Sequence, residues 1–302
     1  MDPQNVLNSW LFIEMIQPAE LPKSNIIPGY LFSDGKQRQQ INKMNFLQEF
    51  IKTAKPKNPR TYTTQYTYYM NCYKLSDLID TFRSFFKHDD EVINKPKQRC
   101  YSFSFQVNDT NEYIEDSLFI PHVHTVIYDM FHTDKINYSH FIDRYNDARY
   151  QLEEDAKTLF SNGVTSEAVQ KLSKNFYRYF DEPTHDHLHF FEMHIVRKNA
   201  DKKKPSFNSF YIEDLQTIKR KGMNETLHQF IKGKDLQVDI EQDHQAIESL
   251  LSPKNLPDGR WPSRIDHRLS LMQQVAVNQI IHGDGPVYSV NGPPGTGKTP
   301  SH

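Results

Sequence analysis

Residue types that mark several common protein classes are scarce in this sequence. Only two cysteines, Cys72 and Cys100, occur in 302 residues, and their spacing matches neither a disulfide framework nor a cysteine metal site. No apolar run approaches the length of about 18 residues that a membrane-spanning helix needs. The N-terminus also lacks the basic and apolar segments of a secretory signal. These absences predict a cytoplasmic protein with reduced, buried thiols and no membrane partner.

Net charge is also small, whereas aromatic residues are abundant. The 36 Lys and Arg residues nearly balance 38 Asp and Glu, for a formal net charge of −2. A global basic surface for nucleic acid is therefore not expected, although local basic clusters can still contact phosphate. The 20 Phe and 16 Tyr residues supply large side chains for a core. The length favours two domains.

The N-terminal region, residues 1–257, is predicted to be an α+β domain of mixed sheet and helix. Asp2-Pro3 is a favourable helix start, residues 62–75 favour a strand and residues 76–87 a short helix. Aromatic and apolar residues then alternate with polar ones, which predicts a half-buried strand with residues 113–120 as its hairpin partner; the apolar positions are Tyr101, Phe103, Phe105 and Val107. These side chains either fill a core, which we favour, or form a platform that stacks bases.

A helical hairpin is predicted at about residues 137–181. Apolar residues recur there at helical spacing, with Gly163 placed to end the first helix and Thr165 to cap the second. The acidic run Glu153-Glu154-Asp155 is interpreted as a solvated helix face. Short helices are predicted at 224–232 and 243–251.

Three histidines follow the hairpin at alternating positions. On a strand, His185, His187 and His189 share one face, so a metal site is conceivable. The sequence offers no nearby cysteine and no identifiable carboxylate ligand, so we favour a polar strand face. Residues 206–215 are predicted to form another strand. The segment 252–262, with three prolines and one glycine, predicts a domain boundary, and a second domain is assigned to residues 258–302.

A phosphate-binding loop, G-x-x-x-x-G-K-[ST], lies in this second domain. Its glycines let the backbone aim successive N–H groups at phosphate oxygens. Lys298 would reach the β- and γ-phosphates, and the Thr299 hydroxyl would help to hold Mg²⁺. A short strand-like run, residues 286–290, precedes the loop. The pattern predicts ATP and Mg²⁺ as cofactors, bound by Gly292, Pro293, Pro294, Gly295, Thr296, Gly297, Lys298 and Thr299.

A glutamine lies upstream of the loop in a recognisable context. A helix is predicted at 264–281, and within it residues 269–277 read L-S-L-M-Q-Q-V-A-V. This resembles the Q motif, L-N-x-x-Q-x-x-A-V, of superfamily 1 helicases, in which a glutamine amide reads the adenine edge. The resemblance implies that Gln273 recognises adenine, with Ser270 in place of the usual Asn. Gln274 is the alternative if the helix register differs by one residue. An amide suits this role because it both donates and accepts.

Together the two motifs resemble the superfamily 1 branch that contains the nonsense-mediated-decay helicase and the Okazaki-flap nuclease-helicase. The stretches 209–215 and 259–263 are similar to parts of large bacterial members of that branch. The form G-P-P-G-T-G-K-T is also common in AAA+ remodellers, but the glutamine motif favours the helicase. The resemblance implies the first helix, strand and phosphate loop of a RecA-like domain in a protein that acts on DNA or RNA.

The family pattern is incomplete in this sequence. Relatives continue from the loop into a helix, an acidic Mg²⁺ motif, arginines that neutralise phosphate charge and a second motor domain, whereas only Pro300, Ser301 and His302 follow Thr299 here. We therefore expect the N-terminal portion of a helicase that binds ATP without hydrolysing it alone, with the loop poorly ordered. Two alternatives stay open: an AAA+ protein remodeller, and a truncated, non-enzymatic module that binds a partner protein or nucleic acid.

Overall fold

The computed structural model describes residues 2–23, 26–30, 58–87, 96–133, 138, 140–183, 188–198, 208–232, 244–255, 269–282 and 288. Its fold is mixed α+β, as predicted. The chain divides into two compact units: residues 8–216 form one, and residues 1–7 with 217–302 form the other. The predicted domain boundary at 257/258 lies outside the described residues and stays a prediction.

Helices and strands are mixed along the described ranges of the chain. The helices are α1 (Pro3–Met15), α2 (Leu75–Phe86), α3 (Val123–Thr133), α4 (Phe141–Leu159), α5 (Ser166–Tyr179), α6 (Tyr211–Lys221), α7 (Glu225–Lys232), α8 (His244–Leu250) and α9 (Leu271–His282), with a 3₁₀ turn at Pro253–Asn255. The strands are β1 (Ala19–Glu20), β2 (Ile26–Tyr30), β3 (Tyr62–Lys74), β4 (Arg99–Val107) and β5 (Leu188–Arg197).

One antiparallel sheet organises the larger unit, with strand order β1-β4-β3-β5-β2. The long strand β3 is central, as its Tyr- and Thr-rich sequence favours, and Tyr68 lies opposite Phe105 of β4 and Phe191 of β5. Strand β2 is at the edge and contains Pro28, which an edge position tolerates because proline lacks a backbone N–H.

The helical hairpin α4–α5 packs on one face of this sheet. Leu152, Val169 and Phe176 are fully buried in the same cluster as Phe103 and Phe105. The Phe103 and Phe176 rings stack with their centroids 5.0 Å apart. The core-filling interpretation of the strand aromatics is therefore confirmed, and these side chains are not exposed for base stacking.

The expectation that β4 is only half-buried is wrong. Its polar residues Ser104 and Gln106 are 2% and 3% exposed. Residues 113–120 fold back along the edge of the strand, as predicted. Ser104 and Phe119 exchange two backbone hydrogen bonds, of 2.8 and 2.9 Å. The Gln106 N–H donates to Ser117 Oγ at 3.0 Å. Alternation in the sequence predicted the strand but did not predict that both of its faces are buried.

The hairpin loop has the predicted caps. Thr165 Oγ1 accepts a hydrogen bond from the Ala168 N–H at 3.2 Å, and Gly163, a few residues beyond the end of α4, has a φ of 90° that suits glycine. Asn111, in the turn after β4, donates from Nδ2 to Val164 O at 2.9 Å. This contact ties the hairpin loop to the sheet.

The interpretation of the acidic run Glu153-Glu154-Asp155 as a solvated helix face is wrong at Glu153. Glu153 is 4% exposed, and its Oε1 accepts hydrogen bonds from the Tyr113 hydroxyl at 2.7 Å and the Asp116 N–H at 2.9 Å. Its neighbour Glu154 is exposed and pairs with Lys157 at 2.9 Å. The turn after β4 reaches α4 and supplies the donors that Glu153 needs, which helical spacing alone did not indicate.

The prediction of a strand at 206–215 is also wrong, since helix α6 begins at Tyr211. Ile212 and Leu215 are its buried residues, three positions apart as on one helix face. Acidic residues lie in the first turn and basic residues in the last, which suits the helix dipole. The predicted short helices correspond to α7 and α8, and the start predicted at Asp2-Pro3 is confirmed by the bond from the Gln4 N–H to Asp2 Oδ1, 3.2 Å.

Candidate functional site

The nucleotide site predicted from sequence is described in part. The loop from Gly292 to Thr299, including Lys298, lies outside the described residues, so the expectation about its order stays a prediction. Gln273, the predicted adenine reader, lies in the first turn of α9. This helix begins at Leu271 rather than at residue 264, with Leu269 and Ser270 non-helical before it.

Gln273 and Ser270 form a reciprocal pair at the start of α9. The Ser270 N–H donates to Gln273 Oε1 at 2.8 Å, and the Gln273 N–H lies 3.4 Å from Ser270 Oγ. This is the arrangement of a capping box, in which the N-cap and third helical residues satisfy each other's backbone donors. Ser and Asn are both favoured N-caps, which explains physically why serine is acceptable at the position where the resembled motif has asparagine.

Gln274 has different surroundings. Its Nε2 donates to Asn278 Oδ1 at 2.7 Å, one helical turn further on, and Asn278 is fully buried. The amide of Gln274 is thus directed along the helix towards a buried side chain, whereas that of Gln273 is held at the exposed N-terminal end. The helix register therefore favours Gln273 over Gln274 for contact with a ligand at that end.

The polar strand face that we expected from three histidines can be compared with the structure only at His189, which does not fit it. His185 and His187 lie outside the described residues, while His189 on β5 is fully buried. His194 is five positions on, so strand alternation places it on the opposite face, where it lies 3.3 Å from Glu192. Within the described ranges no three His, Cys, Asp or Glu side chains are grouped to hold a metal ion.

His189 instead belongs to a buried polar cluster, which we call the Asn71 network. It comprises Asn71, Ser102, Ser173, Tyr177, Glu182 and His189. The pairing of β3 with β5 shifts between Tyr69 and Cys72, so that β3 carries one extra residue there, and Asn71 has a φ of 48°. Such a bulge re-aims side chains and backbone groups, and asparagine tolerates this left-handed backbone better than most residues.

Groups from several elements bind Asn71. Its N–H donates to His189 Nδ1 at 3.2 Å, and its side-chain Oδ1 accepts from the Ser173 hydroxyl of α5 at 2.9 Å. Ser102 Oγ of β4 lies 2.9 Å from the Asn71 carbonyl oxygen and 2.8 Å from Glu182 Oε2. The network thereby joins three strands, α5 and the segment that follows α5.

Glu182 is the ionisable centre of this network. It is 7% exposed, and its Oε1 accepts a short hydrogen bond from the Tyr177 hydroxyl. Burial raises the pKa of Glu182 to about 7, against the opposing effect of the hydrogen bonds from Tyr177, Ser102 and Asn71. Asparagine is depleted in strands, so Asn71 within β3 was the one local signal for the network in the sequence.

A second buried carboxylate lies on α3. Asp129 is 1% exposed and forms an ion pair with Arg144 of α4, whose guanidinium lies 4.9 Å from the centroid of the Tyr128 ring. This ion pair fastens α3 to α4.

None of the helices in the described ranges combines the length and apolarity needed to cross a bilayer. The two cysteines are free and fully buried, as predicted. No protein-family model, curated protein or solved structure matches this chain. The motifs and the geometry of the described residues therefore carry the functional argument.

Proposed function

We propose that this chain binds Mg²⁺·ATP and contributes the nucleotide-binding start of a superfamily 1 helicase-like ATPase, with DNA or RNA as the partner of the complete motor. The observation that carries the proposal is the phosphate loop, Gly292–Thr299, downstream of a helix whose first turn presents Gln273. In this arrangement the loop amides and Lys298 hold the phosphates, and Thr299 holds Mg²⁺.

The start of α9 supports the adenine-reading role of Gln273. Its Oε1 already accepts the Ser270 N–H at 2.8 Å, which restrains the side chain before a ligand arrives. A carboxamide offers two N–H donors and two acceptor lone pairs, so an amide restrained in this way suits the donor and acceptor edge of adenine. Restraint in advance lowers the entropy that binding must offset.

Gln273 also stabilises the helix start, so a test must separate its two roles. Glutamate is equally suited to the third position of a capping box but, when ionised, only accepts hydrogen bonds. Gln273→Glu should therefore leave α9 intact while weakening ATP binding, whereas Gln273→Ala loses both contributions. Gln274→Glu is the matched control, because it makes the same change one residue further on.

The measurement is the equilibrium affinity for ATP and GTP, with circular dichroism as the control for folding. Loss of the adenine contact, one or two hydrogen bonds, corresponds to about 1–3 kcal/mol, or about a 5- to 150-fold weaker affinity for ATP. GTP affinity should change little, and Gln274→Glu should bind both nucleotides like the wild type. Equal losses for both nucleotides in Gln273→Glu would contradict adenine recognition by this residue.

Lys298→Ala tests the phosphate loop itself. We expect it to weaken ATP and GTP alike, because it removes a positive charge from the phosphates and leaves the base untouched. We also expect the wild-type chain to bind ATP without steady-state turnover, since the resembled mechanism needs an acidic Mg²⁺ motif and arginines that its residues do not provide. Turnover that disappears in Lys298→Ala would refute that expectation.

Two outcomes would redirect the proposal. Nucleotide-dependent hexamers that ignore DNA and RNA would favour the AAA+ remodeller. A chain that binds no nucleotide but retains a protein or nucleic-acid partner would favour the non-enzymatic module. A cytoplasmic location belongs to the same proposal and agrees with the two free thiols.

A further inference from the structure

We propose that Glu182 is a protonation switch in the larger unit: the neutral carboxyl group fastens residues 180–183, which follow α5, to the bulge of β3, and its ionisation releases them. The proposal is independent of the nucleotide site. It rests on how hydrogen atoms are distributed among the atoms of the Asn71 network.

The hydrogen count at Ser102 favours a protonated Glu182. Ser102 Oγ lies within hydrogen-bond distance of two acceptors, the Asn71 carbonyl oxygen at 2.9 Å and Glu182 Oε2 at 2.8 Å. A hydroxyl group has one hydrogen to donate. If Glu182 is ionised, this hydrogen serves only one of the two contacts. If Glu182 is protonated, Oε2–H donates to Ser102 Oγ, Ser102 donates to Asn71, and both contacts are satisfied.

Hydrogen bonds from Tyr177 and Asn71 also reach Glu182, and they lower its pKa against the effect of burial. Oε1 accepts the Tyr177 hydroxyl, and Oε2, which lies beside Ser102 Oγ, carries the proton in the neutral form. Burial favours this neutral form, because moving a charged carboxylate out of water is costly. Burial and the neighbouring Asp181 both raise the pKa of Glu182, to about 7, so the switch operates near neutral pH.

Titratable and polar groups from each packed element face this site. They are Asn71 and Tyr73 of β3, Ser102 of β4, His124 of α3, Ser173 and Tyr177 of α5, Asp181 beside Glu182, and His189 of β5. Burial lowers the pKa of His124 to about 4 and raises that of Tyr73 well above its usual value. His189 Nδ1 accepts the Asn71 N–H at 3.2 Å.

The sign of the effect follows from linkage. Glu182 has a higher pKa in the folded protein, about 7, than its reference value of 4.5. Its contribution to stability is therefore complete below about pH 4.5, falls as the pH rises towards about 7, and is constant above that. Opening of the network should become about tenfold more favourable for each pH unit between these limits.

The two buried cysteines report such opening. Cys72 follows Asn71 directly and Cys100 precedes Ser102 by two residues, and both are fully buried. The rate at which iodoacetamide alkylates them in the native protein therefore measures exposure. Thiol ionisation also depends on pH, so the quantity to compare is the ratio of the wild-type rate to that of Glu182→Gln, in which the thiol chemistry cancels.

We expect this ratio to rise at least about tenfold from about pH 5 to about pH 7 and then to level off. The matched control is Glu154→Gln, at an exposed carboxylate on α4, which should follow the wild type at every pH. A ratio that does not change with pH would overturn the proposal. This holds even if the two rates differ by a constant factor, because Glu182 would then be only a structural hydrogen-bond acceptor.

Infrared spectroscopy keeps the proposal testable if Glu182→Gln does not fold. Between about pH 6 and about pH 8 the wild-type protein should lose the carbonyl band of one protonated carboxyl group, because ordinary carboxyl groups are already ionised there. If that band is absent at about pH 6, Glu182 is ionised in the folded protein and the proposal fails.

Discussion

Asn71 provides the sharpest test of how the larger unit is held together. Its backbone has a φ of 48°, and its Oδ1 accepts the Ser173 hydroxyl at 2.9 Å. Asn71→Ala removes that acceptor and leaves a buried hydroxyl without its partner, at a cost of about 1–3 kcal/mol. It also places an alanine in a left-handed backbone conformation, which costs about another 1–2 kcal/mol. We expect the free energy of unfolding to fall by about 2–5 kcal/mol.

Asn71→Gly separates the two contributions. Glycine adopts the same backbone without strain but loses the same hydrogen bond, and it raises the entropy of the unfolded chain by an equivalent of about 0.5–1 kcal/mol. Its expected loss is therefore about 1.5–4 kcal/mol, somewhat smaller than that of alanine. Ser173→Ala and the double variant Asn71→Ala/Ser173→Ala complete a cycle in which the pair should show a coupling energy of at least about 0.5 kcal/mol.

Urea unfolding monitored by circular dichroism measures these values. The urea concentration at the unfolding midpoint should shift. The slope of the unfolding free energy against urea concentration should stay the same, because the surface exposed on unfolding is unaltered. If Asn71→Ala lowered the unfolding free energy by less than about 0.5 kcal/mol, the bulge would not be the junction described above. Strictly additive effects of the two substitutions would show that Asn71 and Ser173 do not interact.

Three further substitutions test other parts of the fold by the same urea assay. Thr165→Ala removes the N-cap of α5 and should lower the free energy of unfolding by about 1 kcal/mol. Ser161→Ala, at an exposed loop hydroxyl, should lower it much less, and equal losses would contradict the capping role. Arg144→Met leaves the buried Asp129 carboxylate without its cation and should cost about 3 kcal/mol, part of which Asp129→Asn should restore; no recovery would argue against the ion pair. Phe176→Ala empties a fully buried site on the sheet and should cost about 3–5 kcal/mol, and a loss below about 1 kcal/mol would contradict its place in the core.

Where local sequence determines structure, the sequence-based predictions are confirmed. Propensity, apolar spacing and caps predict strand β3, helix α2 and the α4–α5 hairpin. Each of these signals comes from residues that are close together in the sequence. The prediction for 206–215 is wrong because a short apolar run, residues 210–212, fits a strand and a helix equally well. The buried pair in α6, three residues apart, is apparent only in the folded structure.

Burial of polar groups could not be read from the sequence in the same way. The alternating pattern predicts that Ser104 and Gln106 face solvent, but both are buried. Glu153 accepts a hydrogen bond from Tyr113, 40 residues before it. Glu182 has no local motif, since its donors come from β3, β4 and α5, which the fold brings together.

The sequence by itself predicts a nucleotide-binding loop, because a phosphate cradle is built from consecutive backbone amides and two adjacent side chains. It also predicts Gln273, within a recognisable motif upstream of the loop, as the residue that reads adenine. Tertiary structure decided which glutamine occupies the helix start and which carboxyl group is buried beside Asn71. Those choices depend on helix register and on a bulge between strands separated by more than a hundred residues, and spacing along the chain encodes neither.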